Sequence, residues 1–127
     1  MRHFSSALIV VAIASWGCSD PVGLESDVLR VRKAPTALEL TNVSTAPVYY
    51  FAADRGWLAL VDWAVCDDPA TCVGIAPSTS KQLAWEDIGG YSATTSEVVV
   101  YHWRLVPGSR PSGFVADSIR SLVVRIR

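Results

Sequence analysis

The chain has 127 residues and a formal net charge of −1 at pH 7, with 50% hydrophobic and 18% charged residues. This balance excludes a disordered chain, because it supplies enough apolar surface to offset the entropy of folding. The few basic residues are scattered, which excludes the concentrated positive face that a nucleic-acid-binding domain needs. The length allows one domain of roughly 100 residues plus a targeting segment.

The first 17 residues have the parts of an export signal. Arg2 and His3 form a short polar region, residues 7–14 (ALIVVAIA) are continuously apolar, and small residues follow. The apolar run is too short for a membrane-spanning helix, which requires roughly 20 apolar residues. We therefore predict a signal peptide over residues 1–17 that is removed on export.

The residues that follow the apolar run, Ser15-Trp16-Gly17-Cys18, resemble the lipobox of bacterial lipoproteins. The resemblance implies cleavage before Cys18, acylation of Cys18 with chains such as palmitate, and anchoring of the mature chain to a membrane of the cell envelope. If the cell has an outer membrane, Ser19 is similar to the residue found in lipoproteins transported there, and the domain would face the periplasm. Ser15 and Trp16 depart from the usual aliphatic and small residues, so an ordinary secretory signal and an uncleaved anchor remain alternatives.

Cys66 and Cys72 are the two cysteines left when Cys18 bears a lipid. An even number of cysteines in an oxidising compartment is expected to pair. A disulfide between them closes a loop of about seven residues and contributes about 2.4 kcal/mol if it acts through chain entropy. A metal site is the alternative, although the spacing is not Cys-x-x-Cys and a closed zinc site requires four ligands.

Residues 18–27 are polar and are predicted to form a flexible tether before a domain at residues 28–127. The domain has short segments rich in Val, Leu, Tyr and Trp, separated by turn residues, which is typical of strands. We predict strands at residues 28–33, 37–43, 48–53, 57–65, 80–85, 97–106 and 118–126. Six or seven strands with one apolar face each predict an all-β fold, a single antiparallel β-sandwich, with a small β-barrel as the alternative.

Two short patterns bear on the kind of sandwich. One pattern is Leu38-x-Leu40-x-Asn42 before a turn, and the other is residues 76–78 before a later strand. Both resemble immunoglobulin-like envelope domains. The resemblance implies that fold in general and no particular activity. The Cys–Trp–Cys framework of true immunoglobulin domains is missing, since Cys66 and Cys72 are too close in sequence to bridge two sheets.

Alternation within three of the predicted strands assigns side chains to faces. In one strand, a single face is expected to carry residues 57, 59, 61, 63 and 65. In another strand, one face is expected to carry residues 99, 101, 103 and 105, and the opposite face residues 98, 100, 102 and 104. The segment at residues 80–85 is mixed, because Lys81 falls on the same side as Leu83 and Trp85.

The sequence contains no pattern that predicts catalysis. His102 is the only histidine that remains after processing, and it is expected to be a half-exposed sheet residue. No nucleophile elbow, phosphate-binding loop or His-Glu-x-x-His pattern is present. The acidic pairs at residues 67–68 and 86–87 are expected to be solvated loop residues. We therefore predict no enzyme activity, no cofactor and no metal.

The chain has five tryptophans, and four of them lie in the predicted domain, more than a core of this size requires. Trp57 and Trp85 lie at the ends of predicted strands, and we predict that they form a ligand-binding surface. The leading hypothesis is a non-enzymatic envelope lipoprotein that binds a protein or serves as a structural module. The alternatives are a carbohydrate- or peptidoglycan-binding module and a protease-inhibitor-like sandwich that presents the loop between Cys66 and Cys72. The expected partners are the membrane, through the lipid, and an envelope protein or glycan.

Overall fold

The computed structural model describes residues 23–127; the predicted signal peptide and Cys18 lie outside the described residues. The elements, in chain order, are β1 Gly23–Glu25, β2 Leu29–Lys33, β3 Ala37–Asn42, β4 Val48–Asp54, α1 Arg55–Leu58, β5 Gly74–Ile75, β6 Ser80–Ala84, a 3-10 helix Trp85–Asp87, β7 Glu97–Pro107 and β8 Phe114–Arg125. Within residues 23–127, no helix is long and apolar enough to cross a membrane.

The strands form two four-stranded antiparallel sheets, which confirms the predicted all-β sandwich. The first sheet has the order β1-β2-β3-β6 and the second has the order β5-β4-β7-β8. When β2, β3 and β6 are compared with strands A, B and E, and β4, β5, β7 and β8 with C, C′, F and G, the strand order is similar to that of an immunoglobulin-like sandwich with β1 added beside A. Strand D, which would lie beside E, has no counterpart among the described residues, so β6 forms one edge of its sheet.

The core lies between the sheets and is built from alternate residues of the facing strands. It contains Leu29, Val31, Leu38, Leu40, Tyr50, Ala52, Ile75, Leu83, Ile88, Val98, Val100, Val124 and Ile126. The period-two pattern places these side chains on the inner faces because successive residues of a strand point to opposite sides. Removing this apolar surface from water is the main source of stability.

The ordered sandwich begins before Val28, which corrects the predicted boundary. Gly23–Glu25 lies within the range expected to be a tether, yet it pairs with β2, with Leu24 opposite Val31. The last strand is also longer than predicted, because β8 begins at Phe114. Sequence alternation missed both segments, since Gly23–Glu25 has only three residues and residues 114–117 (FVAD) begin with three apolar residues in a row.

The prediction of a strand at residues 57–65 is wrong. Residues 55–58 form a single helical turn that is capped by Asp54, whose Oδ1 accepts a hydrogen bond from the backbone N–H of Trp57 at 2.9 Å. The next residues have no regular secondary structure and pair with no strand, although Val61, Trp63 and Val65 are half-buried and the residues between them are exposed. The alternation is therefore real, and it arises because this segment lies across the outer face of the second sheet.

Candidate functional site

The two sides of the sandwich differ in how they are closed. On one side, β1 lies beside β8. The Lys33 ammonium there donates to the backbone carbonyl of Ile126 at 2.6 Å, and Arg120 pairs with Asp27. On the opposite side, β6 faces β4 and β5 without a connecting strand in the described part of the chain.

A groove of about 290 Å³ occupies the open side. Its lining includes Tyr50, Ala52, Val73, Lys81, Leu83 and Asp87. Tyr50, Ala52 and Leu83 belong to the core, so the floor of the groove is apolar, whereas Val73 is 51% exposed at its rim. Lys81 and Asp87 place opposite charges on the first-sheet side of the groove. A concave apolar surface with few polar groups is typical of a binding site.

The outer edge of β6 presents unpaired backbone groups to solvent. The carbonyl of Thr79 accepts from the N–H of Asn42 on β3 at 2.9 Å. Because the hydrogen-bonding direction alternates along a strand, Lys81 and Leu83 also point their backbone groups toward β3. Ser80, Gln82 and Ala84 therefore point theirs away from the sheet, and they have no backbone partner within residues 23–127.

The opposing wall of the groove is better covered. Tyr50 donates its backbone N–H to Val73 at 3.3 Å. Further along β4, the N–H of Gly89 donates to the carbonyl of Ala52 at 3.0 Å, and the N–H of Asp54 donates to Gly89 at 2.8 Å. Most of the β4 edge is thus paired by neighbouring loop residues, which leaves β6 as the continuous open edge of the groove.

Lys81 is the unusual residue of this edge. It pairs with Leu40 across the sheet and shares the inner side of β6 with Leu83. Its Nζ lies 5.5 Å from the centroid of the Tyr50 ring, within the range of a cation–π interaction. An inward-pointing charge on an edge strand discourages uncontrolled pairing with other sheets. The mixed pattern at residues 80–85 was the sequence signal of this arrangement, although the sequence did not identify the site.

The loop between α1 and β5 forms a cover over the outer face of the second sheet. The Trp63 ring stacks on Phe51 at 4.9 Å and lies 4.7 Å from the ring of Tyr101. The predicted disulfide between Cys66 and Cys72 is confirmed, with a Cα–Cα distance of 5.6 Å. This loop is therefore packed on its own sheet, and its role as an inhibitory loop stays a prediction.

The two tryptophans predicted as a binding surface are both half-buried. The Trp57 ring lies so close to Gly89 and Gly90 that a Cβ at Gly90 would be 2.1 Å from its Cγ. The Trp85 ring stacks on Tyr91 at 5.7 Å with an interplanar angle of 16°, and it packs against the core. The structure places these rings at separate positions against their own domain, and ligand binding by Trp57 and Trp85 stays a prediction.

His102 is 1% exposed, so the expectation of a half-exposed residue is wrong. Its Nε2 lies 3.3 Å from Oγ of Ser26. That hydroxyl already accepts from the backbone N–H groups of Val28 at 3.2 Å and Leu29 at 3.0 Å, which makes it a turn-forming group. Burial, and then the nearby Arg120 guanidinium, lower the pKa of His102.

The acidic residues of the Cys66–Cys72 loop serve local structure. Asp68 Oδ1 accepts from the N–H of Ala70 at 2.9 Å, and Asp67 lies 3.7 Å from the guanidinium of Arg110. Within residues 23–127, no group of three or more His, Cys, Asp or Glu side chains is placed to bind a metal ion.

The groove at β6 is the feature of the described chain best suited to binding, since it combines an apolar floor, two charges and free backbone groups. Comparisons with protein-family models, with curated proteins and with solved structures found no match to this chain.

Proposed function

We propose that this chain is a lipid-anchored, non-enzymatic module of the bacterial cell envelope that binds a partner protein in the groove between β4 and β6. The observation that carries the proposal is the row of free backbone groups at β6 above an apolar floor. Protein partners use both features, because apolar side chains fill pockets while backbone groups complete hydrogen bonds.

The position of β1, the first described strand, supports this arrangement. The chain enters the sandwich at β1, which is the edge of the first sheet farthest from β6. A lipid on Cys18 would therefore attach beside the closed side of the sandwich. The groove would remain accessible to a partner while the domain is held at a membrane.

The anchor is tested by intact-mass measurement of the protein extracted with detergent from an exporting bacterium. A chain that begins at Cys18 and carries diacylglycerol and acyl mass is expected. A Cys18→Ser variant, which cannot be acylated, provides the control and should lack the diacylglycerol and acyl mass. Recovery of unlipidated wild-type chain as the main species would contradict the anchor.

The binding surface is tested by photo-cross-linking in intact cells. A photoreactive amino acid replaces Val73 at the groove rim, or Val123 on β8 as a control of similar exposure, 51% and 40%. A discrete protein adduct at position 73 that is absent at position 123 is expected. Equal adducts at both positions, or none at position 73, would contradict the proposed function.

A further inference from the structure

We infer that the partner contributes an extended segment that pairs with the outer edge of β6 as an additional strand, with an acidic residue facing Lys81 and an apolar residue facing Leu83. The inference rests on the proposed function and specifies the chemistry of the ligand. The added strand would occupy the place of strand D, which has no counterpart among the described residues.

The backbone of β6 selects an extended polypeptide. Ser80, Gln82 and Ala84 each direct an N–H and a carbonyl outward, and these groups repeat at every second residue. Another extended chain has the same repeat, so it can satisfy the whole row with the spacing of a sheet. Sugars and lipids lack this regular alternation of donors and acceptors.

The side chains of β6 specify the sequence of the segment. Residues directly opposite each other in paired strands have their Cβ atoms about 4.5–5.5 Å apart and share a face. The two partner residues opposite Lys81 and Leu83 would both enter the groove and would be two positions apart. An apolar residue opposite Leu83 would extend the apolar floor, and a carboxylate opposite Lys81 would pair with its ammonium group.

A second copy of this chain fits the edge poorly. Antiparallel pairing of two β6 strands about Gln82 would place Lys81 of each copy opposite Leu83 of the other. Both ammonium groups would then enter the interface without a carboxylate from the facing strand, and a partly buried charge is costly unless it is paired. The inward position of Lys81 thus favours a different chain that supplies the acid.

The test uses the full chain in detergent and titrations of its 15N-labelled amide signals with synthetic seven-residue peptides. The peptides are threonine-rich, with valine and glutamate two positions apart in either order, or with lysine in place of glutamate. We expect at least one glutamate peptide to bind and to shift the signals of residues 80, 82 and 84, with at least tenfold weaker binding of its lysine counterpart. Lys81→Glu should reverse that preference.

Ala84→Pro tests the backbone contacts separately. It removes one outward N–H, and the φ of Ala84, −61°, suits proline, so the fold should be kept. We expect at least tenfold weaker peptide binding with an unchanged thermal midpoint. Ser121→Ala, which changes an exposed side chain on β8 in the other sheet, is the control and should bind as the wild type does.

Three results would overturn the inference. The first is equal binding of glutamate and lysine peptides, the second is unchanged binding by Ala84→Pro, and the third is a dimer of the wild-type chain that Ala84→Pro abolishes. Absence of peptide binding together with a specific cross-link at position 73 would overturn the inference and leave the proposed function standing. Absence of the cross-link as well would overturn both.

Discussion

The indole Nε1 of Trp103 on β7 donates a hydrogen bond to the backbone carbonyl of Cys66 at 3.0 Å. The bond joins the second sheet to the loop that covers it, at the residue where the disulfide begins. Trp103 is 2% exposed, so this carbonyl provides the partner that a buried indole N–H requires. The disulfide and this hydrogen bond therefore hold the same end of the cover, close to the point at which Trp63 packs on the sheet.

Replacing both Cys66 and Cys72 with serine should destabilise the domain by about 2.4 kcal/mol on the chain-entropy account. The loss should come from greater freedom of the unfolded loop, while the sandwich core stays intact. Urea unfolding followed by tryptophan fluorescence measures the change, since Trp63 reports on the cover. Wild-type protein treated with reductant is the control and should match the variant, and an unchanged midpoint in both would show that the bridge contributes little.

Gly90→Ala should destabilise the domain more than Gly113→Ala. Both glycines have positive φ, +68° and +82°, which costs a non-glycine residue roughly 1–2 kcal/mol. A Cβ at Gly90 would also meet the Trp57 ring, whereas a Cβ at Gly113 would have nothing within 4 Å. The excess loss for Gly90→Ala therefore measures the packing of Trp57.

Thermal or urea unfolding of the two variants gives the comparison. A double variant, Gly90→Ala with Trp57→Ala, provides an internal check, because removing the ring should remove the excess loss caused by the added Cβ. Equal losses for the two single variants would contradict the close packing between Trp57 and Gly90.

The strands that the sequence predicted well are those whose alternate residues enter the core. In β3 and β7, for example, Leu38, Leu40, Val98 and Val100 repeat at every second position and are fully buried. The same alternation led to a wrong strand prediction for the segment around Trp63, because a repeat at every second residue shows which way the side chains face. It does not report whether the backbone pairs with another strand.

The groove could not be predicted because it depends on strand order. Leu83 and Tyr50 are ordinary apolar positions in sequence, and they become neighbours only when β6 and β4 lie at the same side of the sandwich. Lys81 was visible as a charge on an apolar face, but nothing in the sequence showed that its strand is an edge. The absence of a strand in the place of D among the described residues is likewise a property of topology.

Burial of His102 predicts a pH-dependent stability. The pKa of its imidazole lies below the ordinary value of 6.5, mainly because burial disfavours the charged form and also because Arg120 is near. The unfolded chain therefore binds a proton at a higher pH than the folded chain does. The free energy of unfolding should be largest above about pH 6.5 and should fall as the pH is lowered through that value.

Thermal midpoints measured from about pH 8 to about pH 5 check this expectation, and His102→Gln should flatten the profile because it removes the titrating group. Asp54, whose pKa is lowered by a hydrogen bond from Thr95, loses its contribution only as the pH falls below 3.8. The range above pH 5 thus isolates the histidine. A wild-type profile as flat as that of the variant would contradict the assignment.

Asn42 should be among the least replaceable polar residues of the sandwich. Its Nδ2 donates to the backbone carbonyls of Ala46 at 2.7 Å and Ile75 at 2.9 Å, and its Oδ1 accepts from the backbone N–H of Ser44 at 2.9 Å. The side chain is fully buried and joins the β3–β4 turn to β5, which directly follows Val73 at the rim of the groove.

Asn42→Ala would leave these buried groups without partners, at a cost of about 1–3 kcal/mol for each one that water cannot reach. We expect a total loss of at least about 2 kcal/mol in urea unfolding, together with faster amide exchange at Ile75, because β5 would lose its attachment to the turn. Thr41→Ala, on the adjacent and partly exposed position of β3, is the control and should cost well under half as much. Equal stability of the two variants would contradict the conclusion that the hydrogen bonds of Asn42 hold β5 beside the groove.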